Sequence, residues 1–341
     1  RCDKMRSNHS SSWRRWSHDC RYAHEQYMAM LPKFFLVLLC LGLCSCSQKT
    51  TTIEGEQMTI FYRIVLGTSL SAKEKASLSQ QIDRCFHKID SIYNNWNPYS
   101  ELSIINRAPA DVPITLSVEL SEFLDQVDTL YKLSEGRFDP TVGPLKTLWL
   151  LHLKSQTLPP KDVWEQHYKD MGWQHLEFQS NTKTLIKKNP HVQIDLCGVV
   201  KGYAVDCLNE ICNTFCPNNY VEWGGEIKTS GHHPSGRPWR IFSEAAGTIL
   251  DIDDMAIATS GNHIQKWCVE GKIYTHILDT RTGKPLELSS YPIQSVSVVH
   301  PSCAYADAIA TVLMTFDSKI EAKQWAEEHH ILTYINDGAS S

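Results

Sequence analysis

From Met58 onward the chain alternates stretches of helical spacing with short apolar runs. Met58–Gly67, MTIFYRIVLG, is rich in β-branched and aromatic residues and reads as a first strand. Leu78, Ile82, Phe86, Ile89 and Tyr93 then recur at helical steps, which predicts an amphipathic helix. Ser71, with Glu74 three places on, supplies a capping box for its start. NWNPYS breaks the period, and Ser117–Gly136 resumes it and closes at Gly136. Beyond about Trp164 the elements shorten. TLIKK, VQIDL, NYVEWGGEIKTSG, WRIFSEA, MAIATSG, IYTHILD and SVSVVH read as strands, and the stretch after Gly202 as a helix. CAYADAIATVLMTF and SKIEAKQWAEEH read as helices, followed by a last strand, ILTYIN. Strands and helices mix without strict alternation. The expected class is α+β, with mixed sheets and flanking helices.

The first 46 residues follow another pattern. LPKFFLVLLCLGLCSCSQKT carries one lysine, an apolar run, then small residues and cysteine. The run is shorter than the roughly 20 residues a membrane span takes. It fits the core of a secretory signal, with a single spanning anchor as the alternative. Leu43-Cys44-Ser45-Cys46 resembles a bacterial lipobox, which makes Cys46 the lipidation site and the first residue of the mature chain. The polar and aromatic stretch before Met28 does not suit a signal, so translation is expected to start at Met28 or Met30, with a spurious extension upstream. The expected division is 1–46 for extension and leader, 47–57 for a polar tether, and 58–341 for the folded domain. The expected location is the bacterial cell envelope, lipid-anchored to the inner membrane on its periplasmic face.

Bulk composition narrows the classes. The 341 residues are 42% hydrophobic, enough for a substantial core, and carry a net charge of −5. No long basic block is present, so nucleic acid is not expected as a partner. Of 12 cysteines, seven follow Cys46. That odd number cannot all pair within one chain, and the Cys207, Cys212, Cys216 cluster lacks zinc-site spacing.

The candidate chemistry sits in a few segments. DLCGVVKGYAVD places Lys201 among glycines and between Asp195 and Asp206, a mixture suited to backbone approaching an anion. Asp307 and Thr311, four apart, share one face of a helix and offer hard oxygen donors suited to magnesium or calcium. Alone, such a pair more often simply faces water. GRFDPTVGPL reads as a structured loop with Phe138 beside Asp139. EWGGEIKTSG has adjacent glycines where backbone can come close to a ligand. His276, in HILDTRTGKP, is the best general-base candidate among 15 histidines, because imidazole titrates near working pH.

Taken in order, NWNPYSELSIINR, GRFDPTVGPL followed by Trp149, DLCGVVKGYAVD, WGGEIKTSG, ATSGN, HILDTRTGKP and SVSVVHPSCAYADAIAT resemble the ApbE-like flavin transferases, formerly called thiamine biosynthesis lipoproteins. The likeness runs from about Met58 to Phe316. It implies an ApbE-like architecture related to the T-fold. It implies magnesium-dependent transfer of FMN from FAD to a threonine or serine hydroxyl of a target protein, with release of AMP. The alternatives are hydrolysis of FAD to FMN and AMP, or an FAD-binding lipoprotein without catalysis. By position, the resemblance implies that Asp307, Thr311 and the backbone carbonyl of Gly198 hold magnesium. It implies that Met58, Trp96, Arg137, Phe138, Asp139, Asp195, Lys201 and Ile277 contact FAD, and that His276 takes the proton of the target hydroxyl. The implied targets are subunits of membrane redox pumps, such as sodium-translocating NADH:quinone reductase or its Rnf-type relatives. The chain departs from the family pattern at Cys197, at Val200, after Met58, and at Thr280, where the family's proline is missing and a looser turn is expected.

Overall fold

The computed structural model describes residues 50–262, 265–290 and 292–338. The leader, both candidate start methionines and Cys46 lie outside the described residues. In chain order the first elements are β1 (Thr51–Gln57), β2 (Ile60–Leu66), α1 (Ala72–Tyr93), α2 (Glu101–Arg107), β3 (Ile114–Thr115), α3 (Val118–Leu133), α4 (Gly143–Lys154) and α5 (Lys161–Asp170). Next come β4 (Leu176–Gln179), β5 (Thr184–Lys187), α6 (Val200–Asn213), β6 (Asn219–Trp223), β7 (Glu226–Ser230), β8 (Trp239–Ser243), β9 (Thr248–Ile252) and β10 (Ala256–Gly261). The last are β11 (Lys266–Val269), β12 (Lys272–Asp279), β13 (Lys284–Glu287), β14 (Ser295–His300), α7 (Cys303–Leu313), α8 (Lys319–Glu328) and β15 (Leu332–Asn336).

Seven strands stand side by side in the order β1-β2-β6-β7-β10-β14-β15, and every pairing in this sheet is antiparallel. Three smaller sheets and the helices complete an α+β fold. The main sheet is buried on both faces at its centre. Ala258 and Val298, paired across β10 and β14, face the main core, while their neighbours Ile257 and Val299 face a smaller core under the β8–β9 hairpin. The serines of SVSVV are buried along with its valines, and Ser297 meets the hydroxyls of Ser243 and Thr259 at 2.9 and 2.7 Å. Helix α1 buries Leu78, Ile82, Phe86, Ile89 and Tyr93, the residues its spacing marks, and Ser71 and Glu74 form the capping box.

Several elements differ from the sequence expectations. The stretch read as a tether holds β1, whose partner is β2. It is an edge strand, half-buried at most along much of its length, so few apolar residues mark it. The first strand of the reading starts two residues late, at Ile60, because Met58 and Thr59 form the turn between β1 and β2, both with positive φ. VQIDL joins no ladder. Val192, Ile194 and Leu196 are buried, but the Asn106 side-chain amide bonds both the N–H and the C=O of Ile194, at 2.8 and 2.9 Å, in place of a neighbouring strand. GRFDPTVGPL is irregular only to Asp139; a single tight turn and the start of α4 follow. Helix α5 escaped the pattern because it buries none of its residues fully.

Helices α6 and α7 press together at Gly202. A Cβ there would stand 2.3 Å from the carbonyl oxygen of Cys303, which is backbone and cannot swing aside. This close approach sets the spacing of the two helices that carry Lys201 and Asp307. Gly202→Ala is expected to lower folding stability by about 1–3 kcal/mol. A denaturant titration would show this as a lower midpoint at unchanged slope.

Candidate active site

A cavity of about 360 Å³ opens where the N-terminus of α6, the middle of α7, the β6–β7 turn and strand β12 converge. The Gly224–Gly225 turn, with φ of +65° and +99°, brings Glu226 to the cavity floor at the start of β7. The carboxylate of Glu226 pairs with the ammonium of Lys201, which is also 3.9 Å from Asp307 Oδ1. The backbone N–H of Gly202 donates to Asp307 Oδ2 at 3.1 Å. Two buried carboxylates thus share one lysine.

Their titration follows from that crowding. Burial raises the Asp307 pKa, against the pull of Lys201 and the Gly202 N–H. Burial also pushes Glu226 up to about 7, with Lys201 opposing and Asp307 adding to the rise. For Lys201 burial alone would favour the neutral amine, but Asp307 and then Glu226 outweigh it, and the amine stays charged. The second oxygen of Glu226 is buried without a hydrogen-bond partner among the described residues. With all three groups ionised, the cluster carries one surplus negative charge.

Thr311 lies one turn beyond Asp307 on α7, and its hydroxyl is 3.0 Å from that of Ser260. Gly198 lines the same cavity beside Phe138. The donors are all oxygens. Among the described residues no group of three His, Cys, Asp or Glu forms a closed metal cage. An open, oxygen-only set with surplus negative charge suits a small hard divalent cation that completes its shell with ligand oxygens and water.

His276 enters the cavity from β12, with Ile277 beside it. Its Nδ1 is buried and has no hydrogen-bond partner among the described residues. Burial lowers its pKa, opposed by the backbone at Gln265, while Lys146 and Lys201 add to the lowering. The imidazole is therefore neutral at pH 7 and able to accept a proton.

The remaining predicted residues divide into three groups. Asp195, just before α6, is buried and takes Lys146 Nζ at 2.9 Å and the N–H of Cys197 at 2.8 Å. Burial by itself would raise its pKa, but Lys146 and Cys197 hold it below the ordinary value. Arg137 lies over the ring of Phe316 and donates to Thr315 O at 3.2 Å. Asp139 serves its own loop: its carboxylate accepts from the N–H and hydroxyl of Thr141 and from the N–H of Trp173. Trp96 is 71% exposed and lies at a second cleft of about 380 Å³, which shares Lys146 and Asp195 with the first. Met58 lines neither cavity. Glu226 and Lys146 were not singled out by the sequence reading. The one signal for Lys146 is a lysine inside an apolar helix, and for Glu226 a carboxylate after two glycines.

Residues 58–335 of the chain match the ApbE family. The chain is 54% identical over 316 residues to the FAD:protein FMN transferase of Chlamydia muridarum, covering 91% of this chain and 100% of that protein. It is 31% identical over 287 residues to the FAD:protein FMN transferase of Vibrio cholerae, covering 81% of this chain and 84% of that one. Among solved structures, the apo form of the Pseudomonas stutzeri flavinyl transferase ApbE matches with a TM-score of 0.75 at 27% identity, over 84% of this chain and 90% of that one.

Removing Lys146 tests the electrostatics of the wall between the two clefts. Lys146→Met leaves the Asp195 carboxylate buried and unpaired, and is expected to cost on the order of 3 kcal/mol of stability. Denaturant unfolding at pH 7 measures it. A loss no larger than that of an exposed ion pair would mean that Asp195 is held by its backbone contact instead.

Proposed function

This chain belongs to the ApbE family, and we propose that it transfers the FMN half of FAD to a threonine or serine hydroxyl of an acceptor protein, releasing AMP. The observation that carries the reading is the neutral His276, whose Nδ1 has no hydrogen-bond partner among the described residues, sharing one cavity with an oxygen-donor set and a charged lysine. The hydroxyl oxygen of the acceptor forms a bond to the phosphorus of the FMN half. The bond from that phosphorus to the oxygen bridging to AMP breaks. His276 takes the hydroxyl proton, and AMP leaves with the bridging oxygen.

Asp307, Thr311 and the backbone carbonyl of Gly198 would hold a magnesium ion. When bound, it supplies positive charge against the pyrophosphate. Lys201 keeps its ammonium at the cavity floor, tied to Glu226 and Asp307, and adds fixed positive charge there. Arg137, Phe138 and Ile277 form the walls that position FAD, and Asp139 and Asp195 brace them. Trp96, exposed at the adjoining cleft, offers a stacking face to whichever part of the dinucleotide extends there. Met58, in the β1–β2 turn, is placed as an FAD contact by the family pattern alone.

The acceptor of this reading is a subunit of a sodium-translocating NADH:quinone reductase or an Rnf-type complex. Lipidation at Cys46 would hold the enzyme on the periplasmic face of the inner membrane. Both follow from the family pattern and the lipobox.

The test mixes the protein with FAD, magnesium and the purified acceptor subunit, then separates the products on a denaturing gel under ultraviolet light. A fluorescent acceptor band that vanishes with EDTA is expected. FMN and AMP accumulating without a band would make the enzyme a hydrolase, and no FAD breakdown at all would overturn the reading. Asp307→Ala is expected to abolish the magnesium-dependent band. His276→Ala is expected to slow transfer by roughly 10²- to 10⁴-fold while FAD still binds. Loss of FAD binding instead would make His276 a ligand contact. In the wild type the base must be unprotonated, so the rate rises with pH through a pKa below the usual histidine value of about 6.5 and is flat above it. A pH profile of kcat/KM measures this.

A further inference from the structure

We propose that Thr280 is a positioning residue that closes the seam between two walls of the cavity, and so limits how far water competes with the acceptor hydroxyl; the proposal rests on the transferase reading. Thr280 directly follows β12, the strand that carries His276 and Ile277, and it lines the cavity while only 9% exposed. Its hydroxyl stands 2.8 Å from the carbonyl oxygen of Gly136 and 3.2 Å from that of Arg137. Those carbonyls belong to the loop that runs into Phe138 and Asp139, the opposite wall.

Both sides of the seam have anchors of their own, and beside it Arg137 from one side and Arg281 from the other meet at Thr315 O, at 3.2 and 2.7 Å. On the β12 side, Tyr168 donates to Arg281 O at 2.6 Å and Trp149 Nε1 to Gly283 O at 2.9 Å. On the loop side, the Gly136 N–H bonds Tyr131 O, and Asp139 ties Thr141 and Trp173. Thr280 joins two anchored parts, so its hydroxyl acts on the gap between them and not on either part alone. The turn after Thr280 is closed by the N–H groups of Thr282 and Gly283 on Asp279 O, at 3.2 and 2.8 Å. A proline here would shape the turn but offer no donor; the threonine contributes a clasp across the cavity wall.

The chemistry gives that clasp a consequence. If water enters, its oxygen forms the bond to the FMN phosphorus, the bond to AMP breaks, and His276 takes the water proton. The products are free FMN and AMP. Acceptor and water use the same base and the same leaving group, so their ratio reports access alone. Thr280→Val keeps the side-chain shape and removes the donor. The carbonyls of Gly136 and Arg137 then need another partner, and water entering the seam supplies it.

The experiment measures free FMN and protein-bound FMN from one reaction of FAD, magnesium and the quinone-reductase acceptor subunit. Thr280→Val is expected to raise the ratio of free to bound FMN about fivefold, the factor carried by one neutral hydrogen bond. Thr280→Ser, which keeps the hydroxyl, is expected to restore the wild-type ratio. Both products come from the same folded molecules, so a loss of stability alone does not move the ratio. An unchanged ratio in Thr280→Val, with the wild type transferring normally, would overturn the proposal. A wild-type enzyme that cleaves FAD but labels no acceptor, or leaves FAD intact, would overturn the transferase reading and this proposal with it.

Discussion

Two carboxylates and one ammonium, crowded below a glycine turn, are the constraint around which the rest of the site is arranged. Burying this cluster is costly in itself. Each member is tolerated because the others stand close, Glu226 hydrogen-bonded to Lys201 and Asp307 3.9 Å from it, and that placement depends on three separate elements. Lys201 comes from the first turn of α6, Glu226 from the first residue of β7, and Asp307 from mid-α7. The missing side chain of Gly202 lets α6 and α7 close to the distance the charges need, while its N–H satisfies one oxygen of Asp307. Packing and electrostatics therefore meet in one residue. The charges of the site, one ammonium between two carboxylates, are placed by the fold before any ligand arrives, and their surplus negative charge leaves room for a further cation.

Local patterns made part of this legible. The periodicity of α1 and its capping box, the β-branched residues of β14, and the four-residue spacing of Asp307 and Thr311 are all short-range signals, and the structure carries each of them. The ordered motifs resembling the ApbE family also brought His276, Ile277, Gly198 and Lys201 to one cavity. The pairings were not legible. Glu226 meets Lys201 from 25 residues away and Lys146 meets Asp195 from 49, and no periodicity reports a contact at that range. Polar edge strands and half-exposed helices were missed for a related reason. β1 and α5 bury too little to print an apolar stripe. Met58 was placed by motif alone, and it is not among the residues that line either cavity.

The two clefts share a wall, and that wall is a single ion pair. Asp195 and Lys146 line both. A dinucleotide too long for one cleft can lie across both only by passing this pair, so the wall sets the path of the ligand as well as holding its own charge. The carboxylate is braced by Lys146 and Cys197 and does not move freely. The cysteine that departs from the family pattern thus contributes both its side chain and its backbone to bracing Asp195.

Asn106 has a wider bearing than its own two hydrogen bonds. The segment leading to Asp195 lies outside every sheet, and the amide of Asn106 stands where a neighbouring strand would be. The N–H of Asp195 goes to Pro140 O at 2.6 Å, and Val192, Ile194 and Leu196 are buried in the main core. The segment is therefore tied to the turn before α4 and to the core, not to a strand edge, and the ligand-facing wall keeps its place without belonging to any sheet.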